Sequence, residues 1–258
     1  MRRSWLGDLG LLLRRRKFPE RVALARDERI YAIGDVHGRW DLLERMLKAI
    51  EQHDKQLHSD AESLILFTGD IIDRGPESRR CLAEIRRLCA EDSALCLMGN
   101  HEALMLATID GDRDAKHSWL RHGGLATLES YGLRESLDTL EDANFCERLL
   151  SMVPPQDIEF LRSLPVSHRS GDYLFVHAGV RPMVPLDRQA QADLYWIRGP
   201  FIEDRNWHGA MVVHGHSIVP TVEFRPNRIA IDTEAWRSGL LSCVMLEGEL
   251  RRVLTVQG

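Results

Sequence analysis

The chain has 258 residues, 44% of them apolar, which is enough to bury a full core in one large domain. Its net charge of -5 argues against general nucleic-acid binding, and no stretch approaches the ~20 apolar residues of a membrane-spanning helix. Five cysteines, odd in number and without a C-x-x-C pair, suggest neither a disulfide framework nor a thiolate zinc site. Reduced packing cysteines in a cytoplasmic protein are the expectation.

Residues 1–28 read as a basic N-terminal extension. The first 30 residues carry nine Lys and Arg against four Asp and Glu, which leaves the remainder near -10. An apolar segment at 5–13 precedes Arg14, Arg15, Arg16 and Lys17. That order is the reverse of a secretory signal. The plain expectation is a frayed or surface-docked extension, and the sharper one is a weak amphipathic contact with an anionic membrane surface or a partner.

The body, residues 29–258, opens with an apolar run at 30–33 that reads as a strand. Leu43, Met46, Leu47 and Ile50 then recur at helical spacing within 40–50. A second strand at 64–67 is followed by Pro76, where a helix can begin, and by a buried stripe of Cys81, Leu82, Ile85 and Leu88. A third strand is expected at 95–98. The order strand, helix, strand, helix, strand with right-handed crossovers makes the three strands parallel neighbours. Residues 103–170 read as a mainly helical, cap-like segment, with a Gly123-Gly124 interruption inside 119–130 and a helix at 156–164 after Pro154 and Pro155. Strands return at 173–176, 211–213 and 228–231, and a closing pair at 242–246 and 250–256 is joined across Gly248. The fold class is therefore α/β with a βαβαβ core.

Five short blocks each follow one of these strands: GDVHG (34–38), GDIIDRG (69–75), GNHE (99–102), HAG (177–179) and GH (215–216). Strand ends are where an α/β sheet builds its site. Asp35 and His37, two residues apart, can point toward one cation. Asp70, on the adjacent strand end, can bridge two cations, and Asn100, His177 and His216 complete the ligand set of the second ion. Mixed oxygen and imidazole ligands suit Mn, Fe or Zn. Two such ions ~3.5 to 4 Å apart acidify a bridging water and stabilise both oxygens of an in-line displacement at phosphorus. A single G-D after a strand is usually only a turn. Five such blocks in order are not.

The three-part signature GDVHG, GDIIDRG and GNHE resembles the PPP-type metallophosphatases of the calcineurin-like metallophosphoesterase superfamily. The stretches WLRHGGLATLESYG, YLFVHAGVRP and LYWIRGPF are similar to the bacterial serine/threonine phosphatase branch. The resemblance implies a β-sandwich of mixed sheets flanked by helices, two divalent metal ions with manganese foremost, and attack by a hydroxide bridging them. It implies that Asp35, His37 and Asp70 hold one metal, and that Asp70, Asn100, His177 and His216 hold the other. His101 becomes the general acid, oriented by Asp73. Arg74 and Arg198, with Asn100, hold the substrate phosphate, although Arg181 or Arg205 could replace Arg198. His214, on the same strand face as His216, is left out of the ligand set as a histidine that supports a ligand or packs in the core, His117 and His122 as helix-surface or loop residues, and Glu102 as an anchor for the loop or the helix start. The implied substrate is a phosphoserine or phosphothreonine protein or peptide. The alternative is a symmetrical dinucleoside tetraphosphate. In hydrolases of that kind the position of Asp73 is commonly Ala and that of Glu102 commonly Asp, yet they share Pro76. A non-catalytic scaffold would have lost a ligand, and none is missing.

Overall fold

The computed structural model describes residues 18–134 and 142–258, so the apolar and basic run within 1–17 and its membrane-contact reading lie outside the described residues, whereas the last part of the 1–28 extension is described and buries Leu24 in the inter-sheet core. β1 (Glu28–Ile33), α1 (Trp40–Lys55), β2 (Glu62–Phe67), α2 (Ser78–Ala90) and β3 (Ala94–Cys96) form the expected βαβαβ unit. The three strands are parallel, with Ile33 opposite Phe67 and Phe67 opposite Cys96. α2 starts two residues past Pro76, and β3 stops before Met98, whose amide turns away to the carbonyl of Pro165 at 2.9 Å.

The helices α3 (Asn100–Ile109), α4 (Arg113–Trp119), α5 (Leu125–Ser130), α6 (Asp142–Met152) and α7 (Pro155–Ser163) follow. A single π-helical turn, Leu120–Gly124, interrupts them where the glycine pair was expected to, and Gly123 sits at φ 113°. The end of this segment is not helical: Ser167–Ser170 is a strand, β4, because its backbone pairs with β5 (Tyr173–Val176). Then come α8 (Gln191–Trp196), α9 (Gly199–Glu203), β6 (Met211–His214), β7 (Glu223–Phe224), β8 (Arg228–Ala230) and α10 (Ala235–Ser238). The chain closes with the hairpin β9 (Leu240–Glu247) and β10 (Leu250–Gln257), as read from its sequence.

Two five-stranded mixed sheets result, in the orders β10-β9-β1-β2-β3 and β4-β5-β6-β8-β7. The period-2 alternation of each strand separates three cores. Ile30 and Ala32 face inward to meet Tyr173, Phe175 and Val213 of the other sheet. Tyr31 and Ile33 face outward onto Leu42 and Met46 of α1 and Leu82 and Ile85 of α2, a core that Met105, Trp119 and Leu161 extend. On the outer face of the second sheet, Leu174 and Val176 pack on Leu194, Ile197 and Phe201 of the α8–α9 region. The layering is helix, sheet, sheet, helix. Cys81, Cys89, Cys96, Cys146 and Cys243 are unpaired thiols. Among the described residues no helix is long and apolar enough to cross a membrane.

Candidate active site

The loops at the C-terminal ends of β1, β2, β3, β5 and β6 converge at one rim of the sandwich, and their backbone is held in unusual conformations. His37, Asp70, Asp73, Arg74 and His216 all have positive φ, between 46° and 74°. Non-glycine residues there cost free energy that the surrounding structure must overcome. Glu102 is one source of that restraint: its carboxylate accepts from the amides of Asp70 (2.8 Å), Ile71 (2.8 Å), Ile72 (3.2 Å) and Gly99 (3.1 Å). The anchoring role read for Glu102 is therefore visible in the contacts. Burial, and then the charge of Asp70, push its pKa up to about 7. Gly99 allows the close approach, since a Cβ there would fall on Asp70 and on the Glu102 carboxylate.

Three histidines converge on one carboxylate. His37 Nδ1 lies 2.8 Å from the carbonyl of Ile72, and His177 Nδ1 lies 2.9 Å from that of Thr68. A carbonyl only accepts, so in both rings Nδ1 carries the proton and Nε2 is turned to the cleft. In His101 the Nδ1 proton goes to Asp73 Oδ2 at 2.6 Å. The Nε2 atoms of His177, His37 and His101 then lie 3.4, 3.6 and 3.8 Å from Asp70 Oδ2. Burial opposes the charge on Asp70, but His177 and His101 hold its pKa well below the usual carboxylate range. In His101, burial is outweighed by Asp70 and by the bond to Asp73, which raise its pKa. His177 is likewise pushed up to about 10, because Asp70 outweighs burial.

Ligand atoms of His37, Asp70 and His101 lie within 4.8 Å of one another, and so do those of Asp70, His177 and His216. Asp70 belongs to both groups, in keeping with the bridging position read from the sequence. Asn100 Oδ1 sits 2.9 Å from His177 Nε2. Asp35 is in neither compact triad. Its carboxylate accepts from the amide of His216 at 3.1 Å and lies where a Cβ on Gly215 would fall. Burial, and next the charge of Asp232, raise its pKa well above the usual value. Buried carboxylates crowded together beside imidazoles are a donor set that fits divalent cations. His216, pushed down to about 2 by burial and by the nearby His177, keeps its lone pair at neutral pH.

The phosphate-facing residues are placed as follows. Arg74 Nη2 is 3.2 Å from His101 Nε2, and its guanidinium lies over the Trp236 ring at 5.2 Å. Arg198 Nε donates to His216 Nε2 at 3.0 Å. The other arginines considered lie elsewhere: Arg181 is exposed and paired with Asp193, and Arg205 lines a separate groove. His214, on the opposite face of β6, packs edge-on against Phe201 at 5.0 Å, with Nδ1 on the carbonyl of Gly215. His117 is an exposed residue whose Nδ1 donates to the Arg113 carbonyl at 2.7 Å.

Several contributors escaped the sequence reading. Trp119 Nε1 donates to Asp73 at 2.9 Å and Thr127 Oγ1 to its other oxygen at 2.6 Å, so the helical segment braces the Asp73–His101 pair. His122 is exposed as expected, yet its ring stands 6.3 Å from that of His101. Trp196 stands edge-on to His216 at 6.1 Å. Asp232 is buried beside Asp35. An available signal was overlooked there, since Asp232 follows the apolar run at 229–231, the same strand-then-Asp pattern as Asp35 without the preceding glycine.

Fold and site together define a metal-dependent phosphoesterase, and a family model described as calcineurin-like phosphoesterase matches residues 28–241. The chain belongs to that family. Among curated relatives it is 35% identical over 153 residues to the symmetrical bis(5'-nucleosyl)-tetraphosphatase of Methylococcus capsulatus, a match covering 59% of this chain and 44% of the relative. The match thus spans less than half the length of that relative. It is 27% identical over 219 residues to serine/threonine-protein phosphatase 2 of Escherichia coli, covering 83% of this chain and 90% of that one. A crystal structure of a candidate diadenosine tetraphosphatase superposes with a TM-score of 0.62 at 20% identity, covering 92% of this chain and 98% of the other, a likeness of fold. The superfamily expected from the motifs is therefore correct. The serine/threonine branch is represented at lower identity than the tetraphosphatases, and the ordering of substrates given by the motifs alone shifts accordingly.

Proposed function

We propose that the chain hydrolyses symmetrical dinucleoside tetraphosphates, releasing two nucleoside diphosphates. The observation that carries this reading is the 35% identity over 153 residues to a symmetrical tetraphosphatase. A second reading, phosphoserine or phosphothreonine hydrolysis in proteins, draws on the E. coli relative and on Asp73, which stands 2.6 Å from His101 where the tetraphosphatases commonly carry Ala. Both readings use the same residues.

Asp35, His37 and Asp70 would hold one divalent cation and Asp70, Asn100, His177 and His216 the other, with manganese the first choice and iron or zinc the alternatives. Cations so held supply charge neutralisation and acidify water. The protein's own groups do the rest. Arg74 and Arg198 fork the phosphoryl oxygens, a geometry that guanidinium matches bidentately. As water attacks phosphorus and the P–O bond to the leaving group breaks, the proton on His101 Nε2 passes to the departing oxygen. Asp73 holds the opposite nitrogen, fixing the ring and keeping it protonated. The test is turnover by manganese-loaded protein on diadenosine tetraphosphate and on a panel of phosphoserine and phosphothreonine peptides, with His101→Ala as blank. ADP formed in preference supports the tetraphosphate reading. Preferred phosphate release from peptides replaces it with the second.

A further inference from the structure

A groove of 680 Å3 opens beside the site, between α9 and the loops that flank β7. Its floor begins at Ser217, the residue after His216. Arg228 lies in its wall only 6% exposed, with one terminal nitrogen on Glu223 at 3.0 Å and its Nε buried without a partner. Arg225 claims the same Glu223 at 2.8 Å. Two guanidinium groups thus share one carboxylate, and although Glu203 also lines the groove, its three arginines outnumber its two carboxylates. Arg205, on the rim, has no carboxylate partner among the described residues. The Ser217 hydroxyl is also buried and unpartnered. Burial, and then the charge of Arg225, lower the pKa of Arg228, although Glu223 opposes the shift. A guanidinium responds in this way when it is short of counter-charge.

The remaining wall is apolar, with Ile202 on α9 and Ile218, which is 48% exposed. A volume of this size accommodates a small organic molecule. We propose that the groove is a second ligand site for a nucleotide-sized organic phosphate, its phosphoryl group held by Arg228, Arg225 and Arg205 and its body laid on Ile202 and Ile218. The site does not depend on which substrate the metal centre cleaves, because none of the residues that line it is assigned to that centre. It has two mechanical links to that centre. Ser217 adjoins His216, and Val219 donates to the carbonyl of Asp232 at 2.9 Å.

The experiment is a calorimetric titration of manganese-loaded protein with α,β-methylene-ADP, and separately with inorganic phosphate. It compares the unaltered chain with Arg205→Ser/Arg225→Ser and with Ile218→Glu, substitutions at exposed positions. Hydrolysis of a generic aryl phosphate checks that each variant is folded. The expected result is one fewer nucleotide bound per chain in both variants, aryl phosphate turnover unchanged, and inorganic phosphate at least tenfold weaker than the nucleotide at the groove. Equal stoichiometry in all three proteins would overturn the site. Equal affinity for inorganic phosphate would overturn the organic ligand.

Discussion

The two ends of β1 carry buried charge of opposite design. At its start, Arg29 is 2% exposed and bonds Glu247 at 2.8 Å, Asp54 at 2.8 Å and Ser63 at 3.1 Å. Its end runs into Asp35, which sits among carboxylates and imidazoles with no cationic side chain hydrogen-bonded to it among the described residues. The first end is compensated within the fold, by carboxylates from α1 and β9. The second is undercompensated and surrounded by residues at positive φ. One strand thus shows how charge is buried for stability and how it is buried to receive a ligand.

Mutation should separate the two ends. His101→Ala is expected to lower kcat by ~10²- to 10⁴-fold, since it removes general acid assistance, while the unfolding midpoint in urea stays near that of the unaltered protein. Unchanged turnover would remove His101 from the reaction. Arg29→Met should do the reverse, costing about 3 kcal/mol of stability with kcat intact in the folded fraction. The figure is at the low end for a broken buried pair because Asp54 and Glu247 are partly exposed. A large loss of kcat in folded Arg29→Met would erase the distinction between the ends.

His214 extends the comparison to pH. Burial holds its pKa down to about 4, so the folded protein keeps the ring neutral while the unfolded chain takes up a proton near pH 6.5. Stability should therefore fall as pH drops from 6.5 to 4, by up to about 3 kcal/mol from this group, and level off below that window. His214→Phe should remove that share of the slope in denaturant titrations, and an identical slope would show that the ring is not the source. Glu102→Gln offers the smallest and most mixed effect. With one oxygen in place of two, it cannot serve amides of Gly99, Asp70, Ile71 and Ile72 together. A loss of about 1–3 kcal/mol is expected, with metal affinity reduced alongside it. Metal titration of the folded variant measures the second part.

The loops that end β1, β2, β3, β5 and β6 were legible because glycine and a hard ligand stand together where an apolar run stops, a purely local signal. So was the anchoring of Glu102, which follows from its position in a helix's first turn, whereas His214, read as sharing a strand face with His216, turns instead to the outer face of β6 and packs on Phe201. What sequence could not display were partners distant along the chain. Trp119 and Thr127 reach Asp73 from 46 and 54 residues away, and nothing local to either announces it. Short elements such as β4, β7, α8, α9 and α10 carry too few residues for a periodic pattern. The comparisons rank the two substrates differently from the motifs for a related reason. The motifs describe the metal core that both kinds of relative share, whereas identity over 153 residues extends well beyond those short blocks.

The hydrogen bond from the His216 amide to Asp35 spans 181 residues of chain. During synthesis, Asp35 and Asp70 leave the ribosome well before the strand that supplies His216 exists. At ~5 to 20 residues per second the wait is roughly 10 to 40 s. Closing so long a loop is also the slow, entropically costly part of folding. The first sheet's helices can pack in that interval, but its strand β1 still lacks the neighbour β9, which is made later still. The metal centre is therefore among the last features of the molecule to be completed, and a nascent chain passes through a stage with carboxylates in place and no complete second triad. Cation supply would then accelerate only the final docking of the two sheets, leaving the earlier collapse untouched.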